Sequence, residues 1–455
     1  MTTLGLVGAG RPTIWYDEAV TLSLLQRPFG ELWGVLREID AVHAFYYVVL
    51  RGWSAVLGDS IGSVRAFSAL GVGVTAALVV LLVARHQRLR TAVASGLFTG
   101  VAPGLAWAAL DGRSYAWSAA FAVLATLALD SACRHRRRRD WLLYGLVCVL
   151  ACWWHLYLVI LVAAHGIAVM VGFPKGRLSW TLTAAVTAVG ALPLAVIGWR
   201  QRDQVSWLAD TNYTWHRMLL NQLASGPASD LRTLRMLVVG ALLALGAYGV
   251  VHLWRKGRRW LPAVLALWSG LPTVVAMIST FVGGGMHPRY VAFAVPAFAI
   301  AAAIGVLALP KWTPAVAGVA MLVAISPLVV EQRAPSAKPD DLRRIAATAG
   351  DEDAEAVYFT VSKARSIQSA YPEHFDGLVD VSAPVDATPD PFFAGIRDPE
   401  TIKGVDVDGL RVLVYGTRAA RGAERLRQLG CRSEPVTGDR HFAVTLYTCP
   451  SLTDP

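Results

Sequence analysis

Two adjacent carboxylates, Asp17 and Glu18, stand near the start of the chain within the stretch WYDEAVT (15–21). A carboxylate can accept a proton from a hydroxyl group and so act as a general base. Acidic residues are costly in apolar surroundings unless they carry out chemistry or have a partner. The alternative is that the pair caps and charges the first turn of a helix that begins near Ala19.

Polar and aromatic residues between the later apolar stretches could complete a reactive centre around this pair. Arginine and histidine neutralise negative charge that builds on a departing phosphate, and aromatic rings could stack on sugar faces. In chain order the candidates are Asp40, His43, Asp111, Arg113, Tyr115, His155, Tyr157, Gln204, Trp207, His287, Arg289 and Tyr290. Such a set suits transfer from an anionic leaving group to a hydroxyl.

Each of these candidates also has an ordinary structural role open to it. Cations and aromatic rings belong at a membrane interface in any case, and short polar residues cap helices. The alternatives are an interfacial anchor for Arg113, Arg289 and Trp207, interfacial hydrogen bonding for His155 and His287, helix capping for Asp40 and His43, and a turn at Asp111.

The composition indicates which elements must position these residues. The chain has 455 residues, of which 55% are hydrophobic and 16% charged, and its mean hydropathy is +0.46. This is too apolar for an ordinary soluble protein and indicates a polytopic membrane protein. The net charge of +10 comes largely from arginine clusters that flank apolar stretches, which argues against nucleic-acid binding.

Apolar segments predict ten membrane spans followed by a soluble tail. The spans fall near 64–84, 92–110, 114–132, 141–153, 155–172, 178–198, 233–254, 261–282, 290–309 and 313–330. Residues 1–10 are too short for a span, so we interpret them as the end of a truncated first helix, with a short interfacial start as the alternative. The amphipathic stretch 43–57 predicts an interfacial helix, CWWH (152–155) a hinge, and 199–232 a polar loop.

Basic clusters predict the orientation of these spans in the plasma membrane. If Asp17 lies outside the cell, the clusters at 84–90, 133–140, 173–177, 255–259 and 310–312 all lie in the cytoplasm, as the positive-inside rule requires. The same orientation places a catalytic loop at 11–63, the later polar loops and the tail outside. We therefore expect a multi-pass membrane module at 1–332 and an extracytoplasmic domain at 333–455.

The tail has the alternating pattern of a small α/β domain. Helices are predicted at 340–350 and 419–430, and strands at 356–361, 409–416 and 441–449. Cys431 and Cys449 could form a disulfide outside the cell, with two free thiols as the alternative. Cys148 and Cys152 lie in an apolar helix and are expected to pack rather than to bind metal. GTRAARG (416–422) lacks the glycine spacing of a nucleotide site.

Four ordered motifs resemble those of the GT-C superfamily of membrane glycosyltransferases. They are WYDEAVT, the stretch 40–70 that begins DAVHAFYY, DGRSYA (111–116) and HPRYVAFAVP (287–296). The resemblance covers about residues 1–330. It points to the branch that contains protein O-mannosyltransferases, aminoarabinose transferases and related actinobacterial mannosyltransferases that depend on polyprenyl-phosphate mannose.

This resemblance implies a mostly α GT-C bundle that transfers a sugar from a polyprenyl phosphate on the extracytoplasmic face. Transfer would be inverting, with Asp17 as base and Glu18 beside it. Donor-phosphate binding would fall to Arg113, His287, Arg289 and Tyr290, and substrate binding to Asp40, His43, Tyr115, His155, Gln204 and Trp207. Relatives often carry His-Pro-Pro where this chain has His43-Ala44-Phe45, which leaves the shape of the loop and the acceptor open.

The expected donor sugar is mannose, with arabinofuranose as the alternative, and the acceptor is a cell-envelope glycan, glycolipid or protein. We expect no cofactor and metal-independent transfer. A transporter and a non-enzymatic envelope-assembly protein are the rival classes. Transporters place charge inside broken mid-membrane helices, whereas these spans are almost free of charge.

Overall fold

A computed structural model of the chain describes residues 1–208, 213–227, 230–282, 286–383, 397–416, 422–438 and 442–451. The chain forms two compact units, and each is described by itself. The first unit comprises Met1–Gly10, Trp33–Gly58 and Gly62–Ala334. The second comprises Arg11–Leu32, Asp59–Ile61 and Pro335–Pro455.

Helices make up most of the structure. In chain order they are α1 (Thr2–Leu6), α2 (Tyr16–Gln26), α3 (Phe29–Glu38), α4 (Ala44–Leu57), α5 (Ile61–Ala84), α6 (Leu89–Val101), α7 (Pro103–Ala108), α8 (Tyr115–His135), α9 (Arg138–Trp154), α10 (Val159–Gly172), α11 (Arg177–Arg200), α12 (Trp215–Leu223), α13 (Arg232–Arg255), α14 (Trp260–Ser279), α15 (Val295–Leu307), α16 (Thr313–Glu331), α17 (Leu342–Asp351), α18 (Ser366–Ala370) and α19 (Gly422–Gln428). Short 3₁₀ helices include Ala41–His43, Leu156–Leu158, Arg202–Leu208 and Pro288–Ala294.

Seven helices in the described ranges are long and apolar enough to cross a membrane, or eight if α6 and α7, bent by 58°, form one span. Helices occupy all ten predicted positions, but α9 has only 17 residues and Leu156–Gly172 is also shorter than a full span. Membrane crossing by these two segments therefore stays a prediction. The predicted hinge at 152–155 is confirmed, because the extended backbone of His155 (φ −156°) interrupts the helix there.

Helices α13 and α15 approach closely at small residues. A Cβ atom on Gly249 would lie 2.7 Å from the backbone nitrogen of Gly305, so only glycine fits. Small residues allow this close contact between helices in a membrane, where van der Waals packing replaces the hydrophobic effect. On α14, the buried Trp268 donates from Nε1 to the carbonyl of Phe293 at 2.9 Å. This bond ties α14 to the chain just before α15.

The predicted polar loop at 199–232 is wrong in part, because it contains a 3₁₀ helix and α12. Helix α12 buries Met218 and Leu223, so an apolar face gives this short segment a packing surface. Gln222 on the same helix is buried and donates from Nε2 to Oγ1 of Thr273 at 3.0 Å. The predicted interfacial helix at 43–57 corresponds to α4.

The second unit contains a five-stranded sheet in the order β2-β1-β3-β5-β4. Its strands are β1 (Ala356–Phe359), β2 (Val379–Asp380), β3 (Arg411–Gly416), β4 (Arg432–Gly438) and β5 (Ala443–Thr448). Strand β1 pairs in parallel with β2 and β3, whereas β5 is antiparallel to β3 and β4. The three predicted strands and the helix at 340–350 are confirmed, while β2 and β4 were not predicted. The predicted helix at 419–430 is the shorter α19, and residues 417–421 lie outside the described ranges.

Cysteine pairing follows the sequence prediction. Cys431 and Cys449 form a disulfide between the residue that precedes β4 and the residue that follows β5. Cys148 and Cys152 are free and buried, as expected for packing residues. In the same second unit, α2 packs against α18. Residues 11–32, which we expected in the membrane module, thus group with the tail.

Candidate active site

Helix α2 carries Asp17 and Glu18 in its first turn. The helix begins at Tyr16 rather than near Ala19, and its N-cap residue Trp15 makes no side-chain capping bond. Neither residue caps the helix, so the capping role is wrong, whereas their position in the first turn is confirmed. Both carboxylates are buried, with 8% of Asp17 and 0% of Glu18 exposed. The positive end of the helix dipole favours negative charge at this position.

In the first unit, Asp40 forms an ion pair with Arg113. Nη1 of Arg113 lies 3.0 Å from Oδ2 of Asp40. Tyr47 donates its hydroxyl hydrogen to the same carboxylate oxygen and accepts a hydrogen bond from Arg113. Nε2 of His43 lies 3.8 Å from the other oxygen, Oδ1. A carboxylate, a phenol, a guanidinium and an imidazole therefore form one small cluster.

Asp40 is the ionised carboxylate of this cluster. Burial raises the pKa of its carboxyl, but the charges of Arg113 and His43 and the hydrogen bonds from Tyr47 and Arg113 outweigh burial and lower the pKa to about 2. Burial also raises the pKa of Tyr47 well above its usual value. At neutral pH the cluster thus contains an ionised carboxylate and a neutral phenol, and Asp40 offsets the charge of Arg113.

Two glutamines after α11 hold the backbone of Asp40 in place. Asp40 has a left-handed backbone conformation (φ 63°), which non-glycine residues rarely adopt. Gln204 accepts the backbone N–H of Asp40 through Oε1 at 3.0 Å, and Gln201 accepts that of Ala41 at 2.9 Å. Gln201 also donates to the carbonyl of Leu36 at 3.0 Å. Neither Asp40 nor His43 makes a side-chain capping bond, so the capping alternative for this pair is wrong.

A second group of side chains surrounds Tyr290. His155 donates from Nε2 to the carbonyl of Tyr290 at 2.8 Å, and its ring meets that of Tyr115 edge-on with 5.7 Å between centroids. The ring of Tyr157 stacks on that of Tyr290 at 5.4 Å. The guanidinium of Arg289 lies 5.6 Å from the ring centroid of Tyr115 and 5.9 Å from that of Tyr290. This places a cation on aromatic faces, an attractive arrangement.

Both histidines of this region are neutral at neutral pH. Burial lowers the pKa of His155 to about 4, against the opposing hydrogen bond to Tyr290. Burial and the charge of Arg289 lower the pKa of His287 well below its usual value. Nδ1 of His287 accepts the backbone N–H of Arg289 at 3.4 Å, so Nε2 carries the proton and donates to the hydroxyl of Tyr213 at 2.9 Å.

Most of the predicted site residues meet in one of these groups. Asp40, His43, Arg113 and Gln204 belong to the first, and Tyr115, His155, His287, Arg289 and Tyr290 to the second. Asp17 and Glu18 lie in the second unit. The side chain of Trp207 is outside the described part of the structure. The interfacial anchoring of Arg113 proposed as an alternative is not observed, because this residue is 7% exposed and pairs with Asp40.

Sequence reasoning missed three polar partners, Tyr47, Gln201 and Tyr213. Tyr47 follows Asp40 by seven residues, which is two turns of a helix, so helical spacing could have indicated that the two side chains lie on one face. No local signal could have indicated Gln201 or Tyr213, since they meet their partners only through the fold. Among the described residues, no group of three or more His, Cys, Asp or Glu side chains could hold a metal ion.

Comparison with solved structures identifies the fold. One similar structure is that of ArnT from Cupriavidus metallidurans, an aminoarabinose transferase, bound to undecaprenyl phosphate. The similarity covers 98% of this chain and 96% of ArnT, with a TM-score of 0.65 and 14% sequence identity. In its apo state the TM-score is 0.62 and the identity 12%. The apo oligosaccharyltransferase of Archaeoglobus fulgidus is similar to 91% of this chain over 69% of its own, with a TM-score of 0.51 and 13% identity.

No protein-family model and no curated protein sequence matches the chain. At such low identities the structural likeness shows the fold alone. The chain is a multi-pass membrane protein with the GT-C fold, a mostly α bundle followed by a small α/β region.

Proposed function

We propose that the chain is a glycosyltransferase that uses a polyprenyl-phosphate sugar as donor on the extracytoplasmic face of the membrane. The observation that carries this proposal is the likeness, over 98% of the chain, to a structure of ArnT bound to undecaprenyl phosphate. Mannose is our first candidate for the sugar and arabinofuranose the second. The acceptor is a hydroxyl on a cell-envelope glycan, glycolipid or protein.

The proposed reaction is a single inverting displacement. The acceptor oxygen attacks the anomeric carbon and forms the new glycosidic bond, while the bond from that carbon to the phosphate oxygen breaks. Asp17, with Glu18 beside it, accepts the hydroxyl proton, and the polyprenyl phosphate departs with the electron pair of the broken bond. General-base catalysis of this kind contributes roughly 10² to 10⁴-fold to a rate.

We assign the departing phosphate mainly to Arg289, supported by His287 and Tyr290. Arg289 lies on the faces of Tyr115 and Tyr290, where the rings hold the guanidinium in a fixed orientation. Arg113 has its charge offset by Asp40 at 3.0 Å, so its contribution to an anionic ligand is smaller. Asp40 and His43 then shape the site through Arg113. Tyr115, His155, Gln204 and Trp207 are proposed to bind or orient substrate.

The test is transfer of radiolabelled mannose from polyprenyl-phosphate mannose to an envelope lipid extract by the purified protein. We expect transfer by the wild type, none by Asp17→Asn, and at least about a tenfold higher donor KM for Arg289→Ala, since a hydrogen bond to a charged group contributes about 1.5–3 kcal/mol. Asp376→Asn, at an exposed carboxylate of the same unit, is the matched control. If the protein transfers sugar only from polyprenyl-phosphate arabinose, the donor sugar is arabinofuranose rather than mannose. Failure with both donors favours a non-enzymatic envelope-assembly protein. Unchanged transfer by Asp17→Asn overturns the assignment of Asp17 as the base.

A further inference from the structure

The backbone that leads into α2 is bonded to the chain that follows the last membrane helix. The N–H of Thr13 donates to the carbonyl of Pro335 at 3.1 Å, and its Oγ1 donates to the carbonyl of Asp340 at 3.0 Å. The N–H of Ile14 donates to the hydroxyl of Tyr371 at 2.9 Å. All three acceptors lie more than 300 positions away in sequence, and all belong to the second unit.

Two lysines of the tail lie on the aromatic residues at the start of α2. Nζ of Lys338 is 5.5 Å from the ring centroid of Trp15, and Nζ of Lys363 is 5.3 Å from that of Tyr16. Lys338 is only 4% exposed. These ammonium groups bring positive charge to the turn that carries Asp17 and Glu18.

Local capping contributes little to fixing the start of this helix. Its N-cap residue, Trp15, offers no capping side chain, and α2 has only 11 residues, a length that is marginal for an isolated helix. Its packing partner in the unit is α18, which belongs to the tail. Residues 335–371 therefore supply hydrogen bonds, cation–ring contacts and a packing partner to the start of α2, which carries both carboxylates.

We propose that this part of the tail, which we call the socket (residues 335–371), positions α2 for catalysis, with Tyr371 as its principal positioning residue. The proposal rests on the proposed function for the role of Asp17, and it assigns a role in catalysis to the tail. Tyr371 does not touch the reacting atoms in this scheme. It fixes where the helix begins, and a base displaced by about 1 Å can lose roughly 10²-fold in rate.

The test compares full-length wild type with Tyr371→Phe, which removes one hydroxyl and keeps the ring. Thr13→Val removes the hydrogen bond from the Thr13 hydroxyl to the carbonyl of Asp340 and keeps the shape of the side chain. Tyr447→Phe is the matched control, because Tyr447 is a buried tyrosine of the same unit on β5, in the cluster around Val412. Two quantities are measured: hydrogen exchange of the backbone amides of residues 13–26, and kcat and donor KM for sugar transfer.

We expect the rate of hydrogen exchange in residues 13–26 to rise roughly tenfold in both variants. In Tyr371→Phe the N–H of Ile14 loses its acceptor, and in Thr13→Val the hydrogen bond to the carbonyl of Asp340 is lost. We expect kcat to fall about tenfold with donor KM unchanged, since positioning affects the chemical step. The proposal is overturned if hydrogen exchange is unchanged in Tyr371→Phe and Thr13→Val, or if exchange is faster but kcat is unchanged. It is also overturned if Tyr447→Phe has the same effect as these two variants. A wild type that transfers no sugar overturns the proposed function instead, and the exchange data still decide whether the socket holds the helix.

Discussion

Arg113 donates through Nη1 to Oδ2 of Asp40 across 3.0 Å, which joins two residues that lie 73 positions apart. Tyr47 bonds to both partners, so the pair is held in one geometry. An arginine that sequence reasoning assigned to the donor phosphate is thereby bound to a carboxylate of the protein. This relationship leads to the first prediction.

Asp40→Asn should destabilise the protein most at neutral pH. The pKa of Asp40 is lowered to about 2, although burial alone would raise it. The ionised carboxylate therefore stabilises the folded state by about 2 kcal/mol above about pH 4. This contribution is lost as the pH falls from about 4 towards 2. Thermal unfolding in detergent at pH 7 and at pH 3 should show the difference between variant and wild type narrowing with acid. Asp203→Asn, at an exposed carboxylate, is the control, and equal melting temperatures at pH 7 would contradict the assignment.

His155 should make the protein sensitive to mild acid. Burial lowers its pKa to about 4 from about 6.5 in an unfolded chain, so the unfolded chain takes up the proton first. Stability falls by about 3 kcal/mol as the pH drops from about 6.5 to about 4.

The measurement is the melting temperature at pH 7.5, 6 and 5. His155→Gln keeps an N–H donor for the carbonyl of Tyr290 and removes the titration, so its melting temperature should vary less with pH than that of the wild type. His135→Gln alters an exposed imidazole and should leave the profile unchanged. A wild-type melting temperature that is constant from pH 7.5 to 5 would count against this prediction.

Gly249→Ala should loosen the contact between α13 and α15. The added Cβ would lie 2.7 Å from the nitrogen of Gly305, and overpacking of this kind costs about 1–3 kcal/mol. Gly240→Ala on the same helix meets no atom within 4 Å, and should leave stability equal or slightly higher, by up to about 1 kcal/mol, because alanine favours a helix. Melting temperatures of the two variants test this contrast, which fails if both shift alike.

Removal of the disulfide should lower the stability of the second unit. Cys431 and Cys449 are 18 positions apart, and closing a loop of this length is worth about 3 kcal/mol. Reductant should lower the melting temperature of the wild type and leave that of Cys431→Ser/Cys449→Ser unaffected. Cys148→Ser, at a buried free thiol, should still respond to reductant. A wild type insensitive to reductant would argue against the disulfide.

The helices of the bundle could be predicted because each is a long apolar run bounded by charge, a signal that lies within one segment. The break at His155 was also visible, as a polar residue between two such runs. Helix α12 was missed because it has only 9 residues and lies within the polar stretch 199–232. Strand β2 has only two residues, too few to give any alternating pattern.

The site was predictable in its residue types but less so in its pairings. Asp17 and Arg289 stood out because they are charged residues next to long apolar runs. The pairing of Arg113 with Asp40 involves the left-handed backbone of Asp40, next to which Gln201 and Gln204, the two glutamines after α11, accept backbone N–H groups. The grouping of α2 with the tail depends on partners such as Tyr371, 357 positions from Ile14. Contacts at such separations are set by the whole fold and leave no local pattern.

The membership of α2 in the second unit also bears on how the protein is made. The ribosome completes Tyr16–Gln26 about 300 residues before it reaches Pro335, a delay of roughly 15–60 s at 5–20 residues per second. During that interval the acidic helix exists without the residues that hold it. Every membrane helix up to α16 is synthesised first, so the helix that carries the proposed base meets its partners in residues 335–371 only after all the membrane helices have been made.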